Sequence, residues 1–173
     1  MVIDTFRFGR LEFPEESLVT LSEGLLGFPD DHRFVVLPFR CESESGGSVP
    51  SSLCWLQSAD NPQLAFLAVE PHLFFPDYEI DLPDGDARAL GLRDARQASV
   101  LTLLTVSRGA TRNGERFPLP PMAVTANLAG PIVVNMRSRQ GRQVLLADGR
   151  YGTKHILAEM DGEKMARGTS LEG

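Results

Sequence analysis

The apolar residues of this chain fall into short runs rich in β-branched and aromatic side chains. Each run is closed within a few residues by glycine, proline or an Asn/Asp/Ser turn. A chain so punctuated has little room for long helices and must build its core from strands. Residues 1–6 and 9–13 open the series, and Pro14 ends the second run. Residues 17–21 follow, then a turn at 23–29 whose Gly24 and Gly27 suit positive φ. Residues 34–37 form an apolar strand closed by Pro38, and 53–57 and 64–69 form two more. The Ser58-Ala-Asp-Asn-Pro62 connection carries turn formers at almost every position and predicts a hairpin. Residues 98–106 suit a strand buried on both faces, although periodicity alone also admits a helix. Residues 123–127, 131–135 and 142–146 supply three closing strands, the last two joined by a basic turn at 137–141.

Two more segments complete the pattern. Tyr78-Glu-Ile-Asp-Leu82 alternates in the period-2 sense, with Tyr78, Ile80 and Leu82 on one face and Glu79 and Asp81 on the other. Residues 84–92 predict one short helix, with Asp84 or Asp86 as its cap and Ala87 and Leu90 as its apolar side. About ten short strands and one helix predict a mainly β fold, a single-domain antiparallel β-barrel-like or sandwich architecture. The β domain is expected over residues 1–157, with 158–173 as a flexible C-terminal tail. The segments 41–52 and 108–121 are expected as mobile surface loops.

Length and composition exclude several classes. A chain of 173 residues sits near one domain's worth and buries roughly 70% of its unfolded surface, enough for a core. No apolar run approaches the length of a bilayer span, and Asp4 and Arg7 interrupt the N-terminus before a signal-peptide core develops. A cytoplasmic protein is therefore expected, with Cys41 and Cys54 as reduced thiols. His32, His72 and His155 lie far apart without ligand-like spacing, so neither metal nor cofactor is expected.

The net charge of −6 hides an uneven split: −12 over residues 1–86 and +6 over 87–173. The acidic half repels phosphate, which argues against direct nucleic-acid binding, and it suits a basic protein partner or a solvated face. Asp77, Glu79 and Asp81 share one expected strand face at about 7 Å intervals. That spacing leaves a carboxylate-based or metal-dependent hydrolase as one alternative, and the barrel-like pattern leaves a small-ligand-binding β-barrel module as another. A Ser58, Asp60 and His155 triad has no support beyond residue type, and no GxSxG, P-loop or GxGxxG occurs. The expectation is a protein that is not an enzyme. Phe74-Phe-Pro-Asp-Tyr78 offers three aromatics beside the acidic run, either a partner-binding patch or a plug for one barrel end.

The chain resembles the FliW family of bacterial flagellar assembly factors. The resemblance rests on Gly24-Leu-Leu-Gly-Phe28, Arg33-Phe-Val-Val-Leu-Pro-Phe39, Leu56-Gln-Ser-Ala-Asp60, Pro62-Gln-Leu-Ala-Phe66 and Phe75-Pro-Asp-Tyr-Glu79. It continues through Thr125-Ala-Asn-Leu128, Pro131-Ile-Val-Val-Asn135, Gln143-Val-Leu-Leu146 and residues 151–155, all in the family's order. Gly130 stands where alanine is commoner and Lys154 where arginine is commoner. The resemblance implies a small cytoplasmic β-barrel-like protein, a monomer when unbound, with two protein partners. These are flagellin, bound before export, and the RNA-binding translational regulator CsrA, which the flagellin-free protein antagonises. With it, Asp60, Asp77, Tyr78, Glu79 and Asp81 become the expected CsrA-facing residues, and an apolar groove elsewhere the expected seat of flagellin.

Overall fold

A computed structural model describes residues 1–42, 48–108 and 122–160. Among the described residues eleven strands run in chain order: β1 (Val2–Thr5), β2 (Gly9–Glu12), β3 (Leu18–Leu21), β4 (Arg33–Glu42), β5 (Ser48–Ser58) and β6 (Ala65–Val69), then β7 (Ala98–Arg108), β8 (Met122–Ala126), β9 (Ile132–Asn135), β10 (Gln140–Gln143) and β11 (His155–Met160). A helix α1 (Asp84–Ala89) lies between β6 and β7. The order β7-β6-β5-β4-β3-β10-β9 closes on itself because β9 also pairs with the first half of β7. The result is a closed seven-strand barrel, antiparallel throughout except where β10 meets β3 in parallel. Of the barrel and sandwich alternatives, the barrel is realised.

The interior is filled with side chains. Val19, Leu21, Phe34, Leu56, Ile132 and Val134 form the buried centre, with Phe66, Leu101 and Leu103 packed against it. Six of the seven strands contribute an apolar side chain. At β10 the inward position is Gly141, where a Cβ would come within 2.6 Å of Leu21. Small closed barrels take their interior from alternating strand residues, as the described residues do here.

β7 serves two sheets. Its first half pairs with β9, while residues 104–108 pair with β8, which carries β11 at its outer edge. Leu101 and Leu103 point into the barrel, whereas Val100 and Leu104 face a second cluster outside it. The expected burial on both faces holds as far as Leu104, and Val106 is exposed.

Several expectations are corrected. Pro38 does not end its strand: β4 continues to Glu42, and a register shift between Pro38 and Arg40 accommodates the ring. Strands β4 and β5 therefore extend as a hairpin through much of the segment expected as a loop at 41–52, pairing Cys41 with Val49. The tip at 43–47 lies outside the described residues, as do 109–121 of the other expected loop and 161–173 of the expected tail. Strand β11, which carries the domain to Met160, was not anticipated. Residues 78–82 join no sheet, although their burial alternates as expected. The turn at 23–29 is as expected. Gly24 takes φ +66°, and a Cβ there would sit 2.5 Å from the Phe28 carbonyl oxygen.

Candidate functional site

The segment between β6 and α1 crosses the outside of the barrel. Pro71 starts a short helical turn, Phe74 and Phe75 donate their N–H groups to its carbonyl, and Tyr78 N–H bonds back to Phe75 O at 3.0 Å. These tight bonds, with Pro76 unable to donate, turn the chain so that Tyr78 drops inward. Tyr78 is 2% exposed, and its hydroxyl donates to the Leu128 carbonyl at 2.8 Å. Burial pushes that phenol well above its usual range. Tyr78 is therefore a core residue: it supports the acidic run from beneath and does not itself meet a partner. Phe75 packs in the same cluster, while Phe74 is 40% exposed and plugs nothing.

Tyr151 completes the support. Its ring lies 4.6 Å from that of Tyr78, and its hydroxyl accepts the Glu79 N–H at 3.0 Å and donates to the Asp77 carbonyl at 3.4 Å. The backbone on both sides of Tyr78 is thus clamped. Extended geometry then turns the Asp77, Glu79 and Asp81 side chains outward, and all three are exposed. Their opposing charge is Arg150, which pairs with Asp148 at 2.6 Å and lies 5.7 Å from the Tyr151 ring. Hydrogen bonds to Asp148 hold that guanidinium above its usual range, with a smaller contribution from the charge of Asp81. Among the described residues none of Asp77, Glu79 and Asp81 is committed to an ion pair.

Asp60 is elsewhere and otherwise occupied. It lies in the β5–β6 turn, separated from residues 70–81 by the length of β6, roughly 16 Å at strand rise. Its carboxylate accepts from the His32 and Arg33 N–H groups at 2.9 and 2.8 Å and from the Arg33 guanidinium at 2.7 and 2.6 Å. Burial raises its pKa, but the Arg33 and His32 hydrogen bonds outweigh this and leave it below the usual carboxylate range. The structure does not bring Asp60 together with the 77–81 residues; it ties β4 to the turn.

A groove of about 480 Å³ lies beside the acidic run. Ile80, Leu82, Ala87, Ala98, Val100 and Val133 supply apolar lining, and His72, Arg93 and Asp94 supply polar lining. Arg93 and the acidic-platform residues Asp148, Arg150 and Tyr151 were not singled out from sequence for a role. Tyr151 stood only within a resembling stretch, and no local spacing relates it to Tyr78. The helix cap also differs from expectation. Pro83 precedes α1 without a side-chain cap, and Asp86 instead bonds Arg142 at 2.8 Å.

Catalytic alternatives find little to build on. Among the described residues no three His, Cys, Asp or Glu side chains are grouped to hold a metal. Cys54 is a free thiol pushed up to about 11 by burial, hence a poor nucleophile at neutral pH. Ser58 Oγ donates to Asp31 at 2.7 Å, and His155 Nε2 accepts from Gly152 N–H, so the imagined triad is not assembled. No helix among the described residues is long and apolar enough to cross a membrane.

Fold and flank together define a small closed β-barrel that carries a backbone-clamped acidic run on its outer surface. A family model described as FliW protein matches residues 2–157. The flagellar assembly factor FliW of Magnetococcus marinus is 38% identical over 148 residues, covering 86% of this chain and 80% of the relative. That of Bacillus subtilis is 33% identical over 157 residues, covering 91% and 96%. A crystal structure of the flagellar assembly factor FliW superposes with a TM-score of 0.70 at 31% identity, covering 91% of this chain and 96% of that one. The chain belongs to the FliW family of flagellar assembly factors.

Proposed function

We propose that this protein is a cytoplasmic, monomeric partner switch without enzymatic activity. It holds flagellin until export removes it, then binds CsrA and relieves repression of flagellin synthesis. The observation that carries this reading is the clamped acidic run, with Asp77, Glu79 and Asp81 exposed and uncommitted on a backbone fixed by Tyr151. Fixed carboxylates attract a basic, RNA-binding surface and disfavour RNA in the same place. The clamped backbone also removes the ordering cost that a mobile segment would add. Asp60 contributes only to the field, since its oxygens are already bonded.

The groove between α1 and β7 suits an apolar helix, the chemistry of a flagellin terminal segment. Seating flagellin there keeps it off the carboxylate tips. The test is calorimetric. The double reversal Glu79→Lys/Asp81→Lys is expected to weaken CsrA binding and flatten its salt dependence while flagellin binding persists. Unchanged CsrA affinity overturns the placement. For the hydrolase alternative, divalent cations should raise Tm, whereas the partner switch predicts little change.

A further inference from the structure

The groove has one wall that the barrel does not hold directly. Helix α1 contributes no buried side chain; its anchors flank it, Leu82 before and Leu90 after, packed with Val133 and Val144. At the C-terminal end the Leu90 carbonyl accepts from the buried Asn135 Nδ2 at 2.8 Å, and Gly91 turns the chain at φ +64°. At the other end the tie is Asp86, bonded at 2.8 Å to Arg142, whose guanidinium also reaches Glu23 at 2.8 Å. Asp86 and Arg142 are 22% and 29% exposed, so solvent screens their pair. Six residues are too few to form a stable helix alone. One end of α1 is therefore pinned by a buried hydrogen bond, and the other by the partly buried Leu82 and a breakable ion pair.

We propose that α1 is a hinged lid on the groove, pivoting at Leu90 and Gly91 and clipped shut by Asp86 to Arg142. Ala87 lies next to the clip and lines the groove, so swinging the N-terminal end of α1 outward widens the groove where an apolar segment enters. The occupant rests on the flagellin reading above; the lid does not. When only the open form admits ligand, apparent affinity and association rate scale with its population. Weakening the clip raises both.

Hydrogen exchange tests the lid. The Gly91 and Leu92 amides bond back to the Arg88 and Ala87 carbonyls at 3.0 and 2.9 Å, across the pivot, and open when α1 swings out. In Asp86→Asn and in Arg142→Gln they are expected to exchange about three- to fivefold faster, the range of a partly exposed ion pair, with β4 and β5 unchanged. Glu23→Gln, which spares the clip, is expected to stay within about twofold. Unchanged exchange in both clip variants overturns the lid, and so does equal acceleration in the barrel strands, which marks Arg142 as merely structural. In stopped flow, Asp86→Asn is expected to bind flagellin faster by a similar factor. Equal rates for both proteins show that α1 does not gate the groove. If flagellin binds neither protein, the functional reading fails and the exchange result still decides the lid.

Discussion

Asp60 and the carboxylates at 77–81 belong to the same acidic half of the chain, yet the fold treats them oppositely. Asp60 accepts two backbone N–H groups and a two-pronged guanidinium, which uses its lone pairs and fixes its charge in place. At Glu79 it is the backbone N–H that is bonded, to the Tyr151 hydroxyl, and the carboxylate is left to solvent. Both are negative and both sit on a fixed backbone. What separates a structural carboxylate from an uncommitted one is where the hydrogen bonds land: on the side chain in one case, on its backbone in the other.

The largest expected effect breaks the pedestal under the second region. Tyr78→Ala removes a ring packed at a tilt against Tyr151 and a hydroxyl bonded to Leu128, and is expected to cost about 3–5 kcal/mol in urea denaturation. Tyr78→Phe keeps the ring and strands the Leu128 carbonyl, for about 1–2 kcal/mol. A Tyr78→Ala protein as stable as the parent would return Tyr78 to the surface and undo the contrast with Asp60.

The next effect tests the first region. Asp60→Asn keeps the shape and loses the charge, with an expected cost of about 1 kcal/mol at neutral pH. The pH dependence has a definite sign. The folded-state pKa lies below the unfolded value, so the stabilisation is fully present above the unfolded pKa and is lost as pH falls through the folded one. The stability curves of parent and Asp60→Asn should therefore converge on acidification below the ordinary carboxylate range. Parallel curves through that range would show that Asp60 is not held by Arg33 in solution.

The barrel was legible because its code is local. Runs of β-branched and aromatic residues punctuated by glycine and proline marked ten of the eleven strands, and Gly24 and Gly27 marked their turn. Strand β11 escaped because its residues 155–160 mix polar and apolar side chains without clean alternation. Residues 78–82 show the converse. Their alternation was real, with Tyr78 buried and Glu79 and Asp81 exposed, but side-chain packing on an outer face produced it and no ladder did. Period-2 burial reports a buried side, not a hydrogen-bonded neighbour. The tertiary pairs that support the acidic run and its flank were not legible. Tyr78 meets Tyr151 and Asp86 meets Arg142 only after the barrel has closed, and neither pair is related by spacing. Asp60 matched the functional pattern in residue type alone, and its Arg33 partner is set by the register of β4 on β5.

The smallest expected effect is the most discriminating. Glu79→Lys/Asp81→Lys changes four units of charge at two exposed sites whose side chains make no ion pair among the described residues. Tyr151 holds the backbone N–H of residue 79, which the substitution keeps. Stability is expected to stay within about 0.5 kcal/mol of the parent, the usual range for surface changes, and urea denaturation measures it. A larger loss would mean that these carboxylates act structurally, as Asp60 does. Repulsion from Arg150 opposes this expectation, and Asp148, paired to it at 2.6 Å, limits that repulsion. Adding salt then separates the two accounts. Screening should erase a deficit caused by Arg150 and should leave untouched one caused by lost packing.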